Sequence, residues 1–518
     1  NTISSNYFGT VDGDNSTGLY GTNGIRNISS GNTLSNNVIV AQNGAGIHLS
    51  GSNNIVTNNI IGLDKYKIAP LPNHSGIYLE YANDNDINNN TIAGNNYYGI
   101  LLAPTSNNND INTNTIGSAA YNTFQGNGSH GVYITSAGSN TIRSNRIAAN
   151  GESGIYGSGT LGIRGNTITY NQLHGIHLSP TATGTIGGGS YLNMTIANQI
   201  TQNSQHGIYL EGSSGVTISG NYIGQNIGGG PMGNHQCGIM LDDGASGNII
   251  GGGNQTDANW VASNDQEGIS LKGGSTTNNS VKNNVLGAST GFYGPLANKG
   301  NGISLWFGTH DNTIGGAGVG NTILASGSNG IYIGFSSDNN SVLENMIGTD
   351  GTHNWGNTNN GISLWDSAGT FISKNEIAFN NGASSTNYGG ILIQGAGSIS
   401  NTIRENSIHD NGGLGINLLS GANGSIAPPL LSRHGNTVTG TTCSSCTVEL
   451  FSDAQDEGRY FEGSVVADTA GDFSWSGNFQ GSFITATATD PALNTSMFST
   501  AIPAPFPWSM FLPAVKKN

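Results

Sequence analysis

The feature that most restricts this chain is a refrain. Gly-Ile-x-Leu, or a near variant, recurs fifteen times from Gly24 to Gly415, at spacings of 21 to 34 residues. A period of that size belongs to solenoids, propellers and arrays. Within each unit the apolar letters alternate, so the elements are strands. In "GIHLSGSNNIVTNNIIG" (46–62), Ile47 and Leu49 point one way and His48 and Ser50 the other. Two more short strands follow in each unit, as in "NDINNNTIAG" (85–94) and "NTIRENSIH" (401–409). Three short strands per unit predict an all-β coil with a three-sided cross-section and about 15 turns. A leucine-rich repeat needs a denser Leu pattern and often a helix in each unit, and no helical period is found.

Asn and Gly stand between the strands. The chain must bend sharply there, through left-handed backbone that Gly adopts freely and Asn tolerates. Stacked Asn side chains also form hydrogen-bonded ladders. Gly supplies 82 of 518 residues, and charged residues only 9 %. Scarce charge with strongly periodic apolar residues signals order, since disorder goes with the opposite composition. A formal charge of −15 with 15 basic residues excludes nucleic acid as a partner, because phosphate neutralisation needs clustered Lys and Arg.

Over residues 1–425 this pattern resembles the right-handed parallel β-helix family: pectate-lyase-like proteins, phage tailspikes and bacterial surface proteins. The resemblance implies a right-handed solenoid, a rod on the order of 70 Å long at the usual strand spacing. The scaffold carries both enzymes and inert stalks. Residues 426–433, with "APP", read as a linker. Residues 434–502 resemble the small Ig-like β-sandwich modules at the ends of bacterial surface proteins, through the "TATATD" and "NTS" ending. Cys443 and Cys446 at its start point to a short-range disulfide, with a zinc half-site as the weaker alternative. Residues 503–518 form an apolar, Pro-rich tail with a basic end, either a strand on the sandwich or a docking segment.

Vertical stacking turns the variable letters of the refrain into outward columns. One reads Ser179, Glu211, Asp242, Lys272, Trp306, Gly334, Trp365, Gln394; its neighbour reads His177, Tyr209, Met240, Ser270, Ser304, Tyr332, Ser363. Glu211, Asp242, Asp243 and Lys272 therefore share a few coils of one face. Carboxylates about 5–9 Å apart serve glycoside hydrolysis, and a lyase would need a base, for which Lys272 is the candidate. The plain alternative is a solvated charge cluster. Trp306, Trp365, Tyr209 and Tyr332 are candidate sugar-stacking rings. A column just before each Gly (His130, His174, His206, Cys237, Glu267) reads as a corner ladder or as metal ligands. "VDGDNSTG" (11–18) offers Asp12 and Asp14 as a weak calcium site, although the remainder of a calcium-loop pattern is missing. No motif requires a cofactor; calcium is the ion the Asp12–Asp14 turn suggests.

The chain opens at Asn1 inside a repeat strand, without Met or a signal peptide, as a processed or trimmed form would. An uncapped first coil exposes a strand edge, which favours head-to-tail self-association. No stretch is apolar and long enough to cross a bilayer. These features together suggest a secreted or cell-surface structural or adhesive element that contacts polysaccharide and can assemble into filaments. The competing function is a polysaccharide hydrolase or lyase on the Glu211–Lys272 face.

Overall fold

A computed structural model describes residues 1–14, 21–118, 125–135, 138–188, 196–381 and 388–505. The chain winds as a right-handed parallel β-helix, and the refrain strands stack in register along its length. Ile47 lies on Ile77, Ile208 on Ile239, Ile303 on Ile331 and Ile391 on Ile416. A second column, beginning with Thr2–Ser4 and ending with Thr402–Arg404, follows each refrain strand round a corner. A third column of fifteen strands runs from Tyr7–Phe8 to Ser407–His409. The strands Ile155–Arg164 and Ile176–Gly187 run through the first corner unbroken, so the refrain and second columns join into one sheet. The Ile, Leu and Val side chains of all three columns fill one continuous core from Ile25 to Ile416. Burying each such side chain stabilises by roughly 1.5–3 kcal/mol.

The Gly of the refrain is fixed by how closely the coils approach. A Cβ on Gly207 would lie 2.6 Å from the Gly238 carbonyl oxygen and 2.8 Å from Ile223 Cγ2. No side chain fits there, whatever the backbone angles.

The Asn residues divide two tasks that the sequence reading assigned to one. The bend is made by the residue before: Asn36, Asn58, Asn89, Thr113 and Ser144 all have φ between 54° and 57°. Glu344, Lys374 and Glu405 take the same left-handed geometry, so Asn is not needed for the bend. The Asn that follows is the ladder residue. Along one corner, Asn37, Asn59, Asn90, Asn114, Asn145, Asn166 and their successors to Asn406 join coil to coil. At most rungs the backbone N–H and Nδ2 of one Asn donate to Oδ1 of the next; Asn145 to Asn166 measures 2.9 and 3.0 Å. Asn166 Nδ2 also donates to Ile142 O of the coil before, at 2.9 Å. One buried amide thus satisfies backbone groups that the bend has removed from the sheet. A second ladder runs from Asn73 to Asn298 where the third column turns into the refrain.

After the last coil the chain forms two antiparallel sheets. Leu430–His434, Thr437–Thr441 and Asp472–Ser476 make one. Tyr460–Val466, Thr447–Asp453, Phe483–Thr489 and Ile502–Pro503 make the other. Leu430–His434, mostly within the stretch read as linker, is the first strand of this unit. Val438, Val448, Leu450, Phe473, Ile484 and Ala486 form its core. Cys443 and Cys446 are joined by a disulfide across a turn. At the junction of the expected sandwich and tail, Ile502–Pro503 pairs with Phe483–Ile484, while residues 506–518 lie outside the described residues.

This unit sits on the end of the solenoid. Ile408 and Gly458 exchange backbone hydrogen bonds of 3.0 and 2.9 Å. Ile403 N donates to Thr495 Oγ1 at 2.9 Å, and Arg404 pairs with the buried Glu449 at 2.5 Å. The Asn ladder that continues through Asn357 and Asn380 ends when Asn411 N donates to Glu457 at 3.1 Å. Burial pushes the Glu457 carboxyl up to about 7, against the pull of the Asn411 donors. Among the described residues no helix is long and apolar enough to cross a membrane.

If the ladder supports the rod, Asn166→Ala lowers unfolding stability by about 3 kcal/mol or more, since it strands several buried polar groups at about 1–3 kcal/mol each. The exposed bend variant Asn89→Ala costs only about 1 kcal/mol. Denaturant unfolding checks this, and equal losses would refute it.

Candidate functional site

The outward side of the refrain column collects the chain's unusual side chains, and strand register sets their order. Glu211 lies opposite Asp242, Lys272 opposite Trp306, and Gly334 opposite Trp365. The loops that follow third-column strands cover a different flank. They fold back as small hairpins, with bridges such as Gln225 to Pro231, Ala288 to Pro295 and Thr349 to Asn354. Under them Tyr222 and Trp260 are buried with Ala288 and Leu324, against Phe292 and Trp355.

In the first half of the rod the outward row is a strip of rings. His48 stacks on Tyr78 at 4.7 Å; Leu101 holds the next outward place, where Tyr98 from the column before the Gly stacks on Tyr133 at 4.7 Å, and Tyr133 meets Tyr156 at 5.2 Å. Tyr156 then meets His177 at 4.7 Å, and His177 meets Tyr209 at 4.8 Å. The column before the Gly interleaves with this row: His130 reaches Tyr156, and His174 lies parallel to His206 at 5.3 Å and beside Tyr209. Three histidines carry a carboxylate partner from the following coil: His48 with Glu80, His130 with Glu152 and His177 with Glu211, at 3.1, 3.0 and 2.9 Å. Burial dominates their neighbours' chemistry. It drives His174 down to about 3, helped by the charges of His206 and His177, and His206 down to about 4. His177 is also lowered, because burial outweighs Glu211. Burial and then Asp243 push the Tyr209 hydroxyl up.

The four residues proposed for catalysis do come together. Lys272 Nζ binds Asp242 Oδ2 at 2.9 Å, Tyr209 OH donates to Asp243 Oδ2 at 3.3 Å, and Glu211 is held by His177. Each carboxylate thus already has a cation or a donor. Cys237 lies just behind, buried, its Sγ 3.5 Å from Glu267; burial and that carboxylate raise its thiol well above the usual range. A concavity of about 440 Å³ opens at the other end of the strip, beside His48, His74, Tyr78 and Tyr98.

Further along the rod the face becomes apolar and open. Trp306 lies tilted against the buried Tyr332, ring centres 4.6 Å apart. Phe307 and Phe335 lie 5.0 Å apart, and Phe335 is 5.3 Å from Trp365. Phe307, Phe335 and Trp365 are 54 %, 39 % and 44 % exposed. Gly334 is the condition for this arrangement, since a Cβ there would meet the Tyr332 ring at 2.6 Å. The two Phe residues escaped the column reading. Both sit one place beyond it with φ of 58°, where left-handed backbone breaks the strict alternation.

The Asp12–Asp14 turn is occupied by a lysine. Lys65 Nζ lies 3.1 Å from Asp14 Oδ1 and 3.0 Å from the Asp12 carbonyl oxygen.

Residues 117–318 match a family model described as a right handed beta helix region, and residues 1–179 match one described as the periplasmic copper-binding protein NosD. No curated protein matches the chain. Three solved structures are similar in fold at low identity. The periplasmic alginate epimerase AlgG is 14% identical, covering 76% of this chain and 75% of its own, with a TM-score of 0.37. The Azotobacter vinelandii mannuronan C-5 epimerase AlgE6 A-module is 15% identical, covering 77% and 92%, with a TM-score of 0.41. A mutant tailspike protein of E. coli bacteriophage HK620 in complex with hexasaccharide is 12% identical, covering 94% and 85%, with a TM-score of 0.38.

The described side chains do not fit a copper site. Among the described residues no three of His, Cys, Asp and Glu converge. The histidines of the matched segment stack on rings and bind carboxylates instead, and His174 and His206 lie ring on ring, 1° from parallel.

Because burial favours their neutral forms, His174 and His206 stay uncharged at neutral pH. Their folded values lie below the ordinary one, so they stabilise the fold above it, and that stability is lost as pH falls toward 4. Histidine NMR titration checks this: neither ring should titrate between pH 5 and 8, and a midpoint near 6.5 for either would contradict the burial.

Proposed function

We propose that this chain is an extracytoplasmic, surface-type β-helix rod that binds polysaccharide along the outward face of its refrain strands. The observation that carries this reading is the open patch of Trp306, Phe307, Phe335 and Trp365, aligned along the coil axis. Contiguous exposed apolar rings are uncommon on a solvated surface and mark interaction sites. Their electron-rich faces suit the C–H edges of sugar rings. A polymer lying along the rod would pass from this patch to the Tyr and His strip, where hydroxyls, ring nitrogens and carboxylates offer hydrogen bonds. The acidic surface favours a neutral chain over a polyanion. The terminal antiparallel unit is read as an Ig-like module that closes the rod, as in an adhesive element.

The Glu211–Lys272 cluster reads as an internally paired charge cluster rather than a proton-transfer site. Asp242 and Lys272 neutralise each other, and Asp243 and Glu211 are held by Tyr209 and His177. A panel of neutral and acidic polysaccharides, assayed by affinity electrophoresis and for product release, tests the reading. Phe335→Ala/Trp365→Ala should weaken binding about tenfold or more, corresponding to about 1.4 kcal/mol, and Asp242→Asn should leave it within about twofold. Product release that disappears with Asp242→Asn would replace binding with catalysis, and unchanged binding by the aromatic variant would remove the patch from the site.

A further inference from the structure

The column just before the refrain Gly carries rings in Tyr98, His130, His174 and His206, but the two coils before Tyr98 carry Ala45 and Ser75 there. Ala45 and Ser75 pair in register. Ser75 holds the place of Tyr98, each two residues before one of the paired isoleucines Ile77 and Ile100. Ser153 is the other small residue among these coils, and there the space is filled. His130 leans over it, its Nδ1 accepting from Ser153 N at 3.1 Å and its ring reaching Tyr156 at 5.1 Å. Over Ala45 and Ser75 the space stays open, as the concavity of about 440 Å³.

That volume falls within the roughly 300–1,000 Å³ of small-molecule sites. Ring surfaces flank it. His48 and Tyr78, stacked at 4.7 Å, form one and Tyr98 the other. Tyr133, one coil further on, covers the far face of Tyr98 at 4.7 Å, so the near face is turned to the concavity. Between the rings lie the amides of Asn23 and Asn43 and the hydroxyl of Ser75, whose Oγ is 3.4 Å from His74 Nδ1. Asn23 Oδ1 accepts from Ala45 N at 3.0 Å, which fixes that amide and leaves Nδ2 as its donor. No Asp, Glu, Lys or Arg is among the described residues that line the space. A charged ligand would therefore be desolvated without a counter-charge. Open ring faces suit the C–H side of a sugar ring, and amides and hydroxyls can pair with its hydroxyl groups.

We propose that this concavity is a separate glycan subsite, taking one neutral pyranose ring stacked on Tyr98 and hydrogen-bonded by Asn23, Asn43 and Ser75. The assignment rests on the polysaccharide reading above and adds to it a site of fixed size at the opposite end of the ring strip from Trp306. Trp306 lies eight refrains beyond Ser75, roughly 40 Å at strand spacing. A hexasaccharide is too short to occupy both places.

Methyl NMR of the full chain, with cellohexaose, mannohexaose, xylohexaose and chitohexaose added in turn, tests this. At least one should shift the methyl signals of Ala45 and Leu101, which line the concavity, and leave that of the core residue Ala422 unmoved. Ser75→Tyr supplies the ring that the next coil already carries. It should abolish the shifts and weaken binding of that hexasaccharide at least tenfold, while Phe335→Ala/Trp365→Ala leaves it within about twofold. No shift at Ala45 and Leu101 with any of the four would overturn the subsite, and so would shifts that persist in Ser75→Tyr. The first of these measurements needs no substitution and decides the matter even where Ser75→Tyr does not fold. The two readings fail separately. Polysaccharide binding that responds only to Phe335→Ala/Trp365→Ala overturns the subsite and keeps the patch, whereas shifts at Ala45 with polysaccharide binding indifferent to that variant keep the subsite and remove the patch.

Discussion

The structure depends on one constraint: coils must stack at strand spacing while the chain bends three times per turn. Each bend removes backbone groups from the sheet, and a buried unpaired group costs about 1–3 kcal/mol. The ladder asparagines remove that cost, because one amide, as at Asn166, accepts two donors from the coil before and donates both to a backbone carbonyl of that coil and to the Asn of the coil after. The refrain glycines meet the remaining demand, since the carbonyl of the next coil occupies the space a side chain would need. With both fixed, what the outward letters may be is left free, and the chain uses that freedom on one face.

The distribution of chemistry around the rod follows. The third column's outward side is roofed by hairpin loops that bury Trp260 and Tyr222, so those rings support the loops. The refrain face carries no such roof over Phe307, Phe335 and Trp365, which stay exposed. Between the open patch and the Tyr–His strip, the Asp242–Lys272 pair and the small Ser270 and Ser304 keep the surface low and polar. Burial keeps His174 and His206 neutral, so this stretch presents rings and hydroxyls to solvent more than charge.

Much of this was legible in the sequence because a solenoid converts spacing into contact. Glu211, Asp242 and Lys272 are thirty or so residues apart in sequence and adjacent in space for the same reason that Ile208, Ile239 and Ile269 are. What escaped the reading departs from that rule. Phe307 and Phe335 lie on left-handed backbone, where alternation no longer tells inside from outside. The Tyr–His strip draws on two columns at once, as when His174 packs on Tyr209, and a single-column reading separates them. The role of Asn was half seen: stacking was expected, but the bend belongs to its predecessor, as Lys374 before Asn375 shows. The docking of the terminal unit rests on Glu449, Glu457 and Thr495, whose spacing from their partners follows no period.

Everything assigned to the outward face assumes that Ser270 and Ser304 are vertical neighbours, paired in register with their hydroxyls 3.1 Å apart. Stacked strands bring such Cα atoms within disulfide range. Mild oxidation of Ser270→Cys/Ser304→Cys, followed by mass spectrometry, should give a cross-link in the folded protein, and Ser270→Cys/Ser363→Cys, three coils apart, should give none. A cross-link in the second pair, or its absence in the first, would contradict the winding on which the site is built.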